Sequence, residues 1–197
     1  MSEYTRERIE AVMRAKGYAF FTEGDYNLNL LAVRSGREAT NLFDDTFLAV
    51  FKVDGVWETR EYACTTDPGT YWLRNGLEKG TAVLAPGQYR GAFALGKHKG
   101  EYEALVQAAP VTVYRDGNKD DALDYVAPET GMFGINIHRA NRNGVSFYVD
   151  KWSAGCVVIA GADAFDDLMG LVHKSLAMGV YGTRFTFTLF EKRDFKI

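Results

Sequence analysis

The sequence predicts a mainly β fold with a helix at each end, and three observations carry that prediction. Aromatic residues make up 14% of the chain, and Thr, Val and Tyr recur in short runs, as they do in half-buried pleated strands. Twenty glycines, with pairs such as Asp54-Gly55, Pro68-Gly69 and Pro86-Gly87, punctuate those runs as turns do. Apolar residues at helical spacing appear only near the two ends.

Taken in order, Ser2–Lys16 reads as a helix, with Thr5, Ile9, Val12 and Met13 on one stripe and Gly17 as its stop. It belongs to an N-terminal segment over residues 1–20. Asn27–Arg34 reads as a strand. Phe47–Val53 and Val56–Thr65 flank Asp54-Gly55 as a hairpin. Asp67-Pro68-Gly69 and Ala85-Pro86-Gly87 read as turns, because Pro fixes φ and Gly supplies positive φ. Thr81–Leu84, Tyr89–Leu95 and Ala104–Tyr114 are further strands. In Met132–His138, Phe133, Ile135 and Ile137 alternate with Gly134, Asn136 and His138, so His138 ends a strand on the face opposite the isoleucines. Val145–Val149 would pair with that strand across Asn143-Gly144. Asp163–Met178 is the clearest helix, capped by Asp163, striped by Phe165, Leu168, Met169, Val172 and Leu176, and ended by Gly179. Phe185–Phe190 is the last strand. With no repeat, low-complexity tract or linker in view, residues 1–197 read as one domain.

Bulk properties exclude several classes. A net charge of −3 gives no basic footprint for nucleic acid. The charged Met1–Lys16 segment lacks the apolar core of a secretory signal, and no apolar run reaches the length of a membrane span. The expectation is a protein made in the cytoplasm without a membrane partner. Cys64 and Cys156 then read as free thiols. Cys64, in a strand, reads as a small core residue.

Chemistry concentrates in Gly134-Ile-Asn-Ile-His138 and Trp152-Ser-Ala-Gly-Cys156-Val-Val-Ile159. A thiolate is a strong nucleophile, but a free thiol is mostly protonated at neutral pH. A nearby imidazole can take its proton and return it to a leaving amine. Gly155 removes side-chain bulk beside the reacting sulfur and leaves backbone N–H groups to stabilise an oxyanion. Ser153-Ala154-Gly155 is a run of small residues suited to a tight turn. One His and one Cys 18 positions apart would by themselves be weak evidence.

Their setting resembles the catalytic segment of the L,D-transpeptidase (YkuD-like) family, over roughly Gly131–Ala160. The matching positions are His138, Ser153, Gly155, Cys156, Val157 and Ile159. Upstream, Ala85-Pro86-Gly87-Gln88-Tyr89 or Asp67-Pro68-Gly69-Thr70-Tyr71 loosely echoes the family's Thr-Pro-x-Gly-x-aromatic turn. Two positions depart: the family's His before the Gly is Ala154, and its Arg two places after the Cys is Val158. The Ser-Ala-Gly-Cys form resembles a divergent branch associated with bacteriophage-encoded proteins.

The resemblance implies a β-sandwich-like arrangement of mixed sheets and a peptidoglycan stem peptide as partner. Cys156 would form a thioester, His138 would be base and then acid, and the N–H groups of Gly155 and Cys156 would bind the oxyanion. The partner of His138 would be a backbone carbonyl. No metal or organic cofactor is implied. The missing Arg puts the family's usual substrate in doubt.

Other residues have quieter readings. Trp152 either packs on substrate or, with its large apolar area, anchors the loop in the core; the second is favoured. Arg139 and Arg142 are candidates to replace the family's Arg in binding a carboxylate. Asn136 shares the face of His138 and is a candidate to orient it. His98, in Gly96-Lys-His-Lys-Gly100, either lines a substrate groove or is a surface-loop residue, the latter being favoured. His173 reads as structural or exposed. Asp116, Asn118, Asp120 and Asp124 are spaced like the start of a calcium loop. The glycine at its sixth position is missing and Ala127 stands where a Glu belongs, so a solvated turn is the better reading.

Four functions remain open on sequence: L,D-transpeptidation, hydrolysis by the same dyad in phage lysis or entry, a catalytically inactive wall- or protein-binding module, and a cysteine peptidase on another fold. The β pattern disfavours a papain-like architecture. Without a signal, a wall enzyme would reach its substrate through phage lysis or as part of a virion. Oligomeric state is not legible.

Overall fold

The computed structural model describes residues 3–36, 38, 41–76 and 78–196. Ser2, where the sequence reading starts the first helix, lies outside them. Helix α1 runs Arg6–Ala15, and Thr5 precedes it with extended backbone, its hydroxyl accepting the Arg8 N–H at 3.4 Å. Thr5 is therefore a cap and not part of the apolar stripe, because its oxygen satisfies an otherwise orphaned helix donor. Ile9, Val12 and Met13 are buried as expected.

Eight strands close into a barrel: β1 (Asn29–Arg34), β2 (Asp45–Val53), β3 (Val56–Thr65), β5 (Gly87–His98), β6 (Tyr102–Gln107), β9 (Ile137–Arg139), β10 (Val157–Ile159) and β11 (Arg184–Glu191). Their order around the barrel is β1-β11-β5-β6-β9-β10-β3-β2. The pairs β1–β11 and β9–β10 are parallel and the rest antiparallel, so the sheet is mixed. A second sheet of three strands comprises β4 (Thr81–Leu84), β7 (Val111–Asp116) and β8 (Glu129–Gly131). The fold is thus mainly β, with a helix at the N-terminus and another after Cys156.

The β2–β3 hairpin turns at Asp54 (φ 49°) and Gly55 (φ 76°), two successive left-handed residues that match the strands' twist. Elsewhere the strand boundaries shift. Ala104–Tyr114 is two strands, β6 and β7, in different sheets, with Ala108-Ala109-Pro110 between them. Pro110 offers no N–H to a ladder, and the chain crosses sheets there. Met132–His138 is regular strand only from Ile137, since Gly134 (φ 73°) breaks the extension. The inward alternation nevertheless persists, because Gln107 replaces the missing ladder. Its Oε1 accepts the N–H groups of Phe133 and Ile135, each at 3.0 Å, and its Nε2 donates to Ala109 O and Gly131 O.

Val145–Val149 does not pair with that segment. Val145 bridges Gly161 and Tyr148 bridges Leu42. The Asp67-Pro68-Gly69 turn leads into a short helix, α2 (Thr70–Asn75), too brief to show a period. Helix α3 runs Ala162–Met178 from Gly161, so Asp163 lies in its first turn rather than capping it. Gly179 (φ 70°) closes α3 by donating to Leu176 O.

The core has three parts. The barrel interior packs with Phe165, Leu168, Met169 and Val172 of α3. Helix α1 covers Leu31, Val33, Leu48, Val50 and Phe190 on the barrel's outside. Leu73 of α2 meets Val83 of β4 and Leu123. Among the described residues no helix is long and apolar enough to cross a membrane.

Candidate active site

The parallel pairing of β9 with β10 builds the site. Val158 stands opposite His138, and the Val157 N–H donates to Asn136 O at 3.0 Å. Ile137, Val157 and Ile159 point into the core. By strand alternation, Asn136, His138, Cys156 and Val158 share the other face. Strand spacing of about 4.8 Å and a two-residue advance of about 6.6 Å put the Cα atoms of Cys156 and His138 roughly 8 Å apart, within side-chain reach.

Cys156 is partly buried. Its thiol donates to Gly134 O at 3.5 Å and accepts the Asn136 N–H at 3.4 Å. Burial raises the thiol pKa above its ordinary value, and the Asn136 N–H and the Lys99 charge act in the opposite direction. Cys156 is therefore a thiol at rest, and its proton points at Gly134, not at His138.

The turn before it is held from both sides. Ser153 is fully buried; its hydroxyl donates to Cys156 O at 2.8 Å and accepts the Gly155 N–H at 3.2 Å. Ser153 thus shapes the turn and is screened from the groove. Gly155 has φ 119°, and an added Cβ would sit 2.3 Å from Ala82 O on β4. Glycine is required here by contact with the second sheet, not by space for a substrate. The Gly155 N–H, one of the two oxyanion donors that the resemblance implies, is engaged by Ser153.

His138 is 3% exposed. Its Nδ1 lies 2.7 Å from Arg139 O, an acceptor only, so Nδ1 carries the proton and Nε2 is left as the basic atom. A backbone carbonyl partner is what the sequence resemblance implied. The Tyr102 hydroxyl donates to the same carbonyl at 3.2 Å and lies 3.4 Å from Nδ1. Burial lowers the His138 pKa to about 3, His98, Lys99 and Arg139 push it the same way, and the Arg139 carbonyl bond opposes them. The His138 ring and the Cys156 thiol are both neutral at rest.

His98 is not a surface-loop residue. It ends β5, is 7% exposed, and stacks on His138 with ring centroids 3.9 Å apart and planes 19° from parallel. Burial, with the Lys99 charge, lowers its pKa. Asn136 bears on His98 rather than on the His138 ring: its Oδ1 accepts the Gln107 N–H at 3.0 Å and its Nδ2 faces His98 Nδ1 at 3.1 Å.

His98, Tyr102 and His138 line a groove of about 790 Å³ that opens to solvent. Lys99, Arg139, Arg142 and Lys151 line it against Glu101 and Asp166, a cationic excess suited to carboxylates. The Arg139 guanidinium lies 3.9 Å over the Tyr102 ring. Trp152 is 44% exposed and forms a wall of the groove rather than an anchor in the core. Tyr102 and Lys99 belong to the site and carry no sequence signal of their own. Only the β5–β6 hairpin register, His98 opposite Tyr102, brings them there.

The remaining candidates lie outside the groove lining. Cys64 is buried in the core, and it and Cys156 are free thiols. His173 pairs with Glu103 at 3.0 Å on the surface. In the Asp116–Asp124 loop, Asn118 bonds Asp120, Asp120 accepts the Ala122 N–H, and Asp116 accepts the Asp124 N–H. These side chains hold their own loop, and among the described residues no group of three His, Cys, Asp or Glu is placed to hold a metal.

No family model matches this chain, and no curated protein or solved structure matches it significantly.

Proposed function

We propose that the chain is a cysteine acyltransferase of the L,D-transpeptidase type, acting on peptidoglycan stem peptides. One observation carries the reading: Cys156 and His138 share a face of two adjacent parallel strands, with His138 lining an open groove and its Nε2 left as the basic atom. Cys156 turns its S–H from Gly134 toward the imidazole, and Nε2 takes the proton as sulfur attacks the substrate carbonyl. The Cys156 N–H supports the oxyanion. Collapse expels the amine, which takes the proton from Nε2, and leaves a thioester. An acceptor amine resolves it by transfer. The groove's exposure to solvent favours water as a competing acceptor, which would make the same site a hydrolase. The basic lining replaces the family's missing Arg in holding a substrate carboxylate.

The test is intact-mass analysis of the protein with purified peptidoglycan fragments. The wild type should gain the mass of an acyl group, and Cys156→Ala should not. Released products separate transfer from hydrolysis. No adduct and no change in the fragments would end the enzyme reading in favour of a binding module.

A further inference from the structure

We propose that His98 is a positioning residue: its ring holds His138 in one orientation and one tautomer, and Asn136 in turn holds His98. The inference rests on His138 being the base for Cys156.

The His138 ring is gripped on an edge and a face. On its Nδ1 edge lie the Arg139 carbonyl at 2.7 Å and the Tyr102 hydroxyl at 3.4 Å. On its face lies His98 at 3.9 Å. His98 is itself immobilised. The Oδ1 of Asn136 is committed to the Gln107 N–H, so Nδ2 must be the donor to His98 Nδ1. That bond places the His98 proton on Nε2. The two stacked imidazoles therefore carry opposite tautomers, His138 protonated at Nδ1 and His98 at Nε2. Asn136 also gives its backbone N–H to the Cys156 sulfur, so one residue references nucleophile and base to a common point.

Among the described residues, His98 is the aromatic ring that stacks on His138. Lys99 and Tyr102 come from the same hairpin, Arg139 is the next residue on β9, and Arg142, Lys151, Trp152 and Asp166 line the open groove. Without His98 the ring gains both solvent and rotational freedom, and small misplacements of a reacting group cost about 100-fold in rate.

The chain has three histidines, which makes ring-nitrogen spectroscopy direct. Long-range proton–nitrogen spectra of histidine-labelled protein, recorded from acidic to alkaline pH, should show a single Nδ1–H tautomer for His138 and Nε2–H for His98. In His98→Ala, His138 should become a tautomer mixture and titrate at higher pH. In His98→Phe, which keeps a flat ring on that face, the single tautomer should persist. Acyl-adduct formation on Cys156 should fall about 10- to 100-fold in His98→Ala and only a few-fold in His98→Phe. An Nε2–H tautomer for wild-type His138, an unchanged His138 in His98→Ala, or a Phe variant indistinguishable from Ala would each overturn the inference. Thermal unfolding of both variants separates these outcomes from global misfolding. A missing wild-type adduct counts against the acyl-transfer reading alone, because the tautomer measurement needs no substrate.

Discussion

At Gly155 the backbone holds φ 119°, and the Ala82 carbonyl oxygen occupies the place of a Cβ at 2.3 Å. Alanine there meets both backbone strain and a clash with a strand that cannot easily yield. We expect Gly155→Ala to cost at least about 1–3 kcal/mol and to displace the thiol. Urea denaturation reads the first effect, and the rate of Cys156 alkylation the second. Wild-type stability with wild-type alkylation would refute this account of the turn. Ser153→Ala removes one acceptor and one donor from a fully buried turn and should cost about 1–3 kcal/mol. At this scale the sequence was partly readable. Cys156, His138 and Gly155 announce themselves because their local pattern is chemical. His98 and Tyr102 do not, because their place beside His138 depends on the β5–β6 register and on barrel closure, neither of which is a local property.

Among the elements, those with a local cause were legible: the Asp54-Gly55 hairpin, the apolar stripe of α3 and the stop at Gly179. Strands β9 and β10 were harder, because each has three residues and each is defined by its partner rather than by its own periodicity. The approach to β9 is held by a side chain, which no strand pattern reveals. Gln107 satisfies two N–H groups and two carbonyls of the chain around it. Gln107→Leu keeps much of the volume and removes all four bonds. We expect a loss of several kcal/mol, at about 1–3 kcal/mol for each buried group left unpaired and less where water enters. Gln107→Glu restores the acceptors alone and should recover part of the loss. Chemical denaturation checks the order wild type, Glu, Leu; a Leu variant as stable as wild type would remove Gln107 from the account of this segment.

At the scale of the molecule, the barrel's end is tied to the loops by Arg34, which has no exposed side-chain surface. It donates to Thr66 Oγ1, Thr66 O and Tyr125 OH, and its Nε stands 2.8 Å from Asp67 Oδ1 without hydrogen-bond alignment. Asp45, bonded to the Ser35 N–H and to Thr66, lies in the same network. Burial pushes both carboxyls above their usual range, with Arg34 opposing that rise. Asp67, pushed up to about 8, is largely protonated at neutral pH, so removing the cation leaves Asp45 and, at higher pH, Asp67 without a counter-charge. Arg34→Leu should therefore cost about 3–5 kcal/mol at neutral pH. The loss should grow as pH rises through about 8, where Asp67 ionises, and shrink as pH falls and the carboxyls protonate. A loss that stayed constant from alkaline to acidic pH would show that Arg34 acts by packing alone.

The pH dependence of global stability also carries the signature of the buried His138 imidazole. Folding takes the His138 pKa from an unfolded value of about 6.5 down to about 3. Between those values the unfolded chain binds the extra proton, so stability rises with pH through that window and is flat above it. Every tenfold weakening of proton binding on folding corresponds to about 1.4 kcal/mol, which makes the contribution several kcal/mol at most. Asp67 tilts the other way, since a raised carboxyl pKa lets stability fall as pH rises toward the folded value. The two slopes overlap, and the wild-type curve alone cannot assign either. His138→Gln removes the first and leaves the second. Unfolding free energies near neutral pH and near about pH 4.5 should therefore show a larger acid loss in the wild type than in His138→Gln. Equal losses would mean that His138 takes up its proton in the folded protein much as in the unfolded chain, and that its burial does not exclude water from the ring.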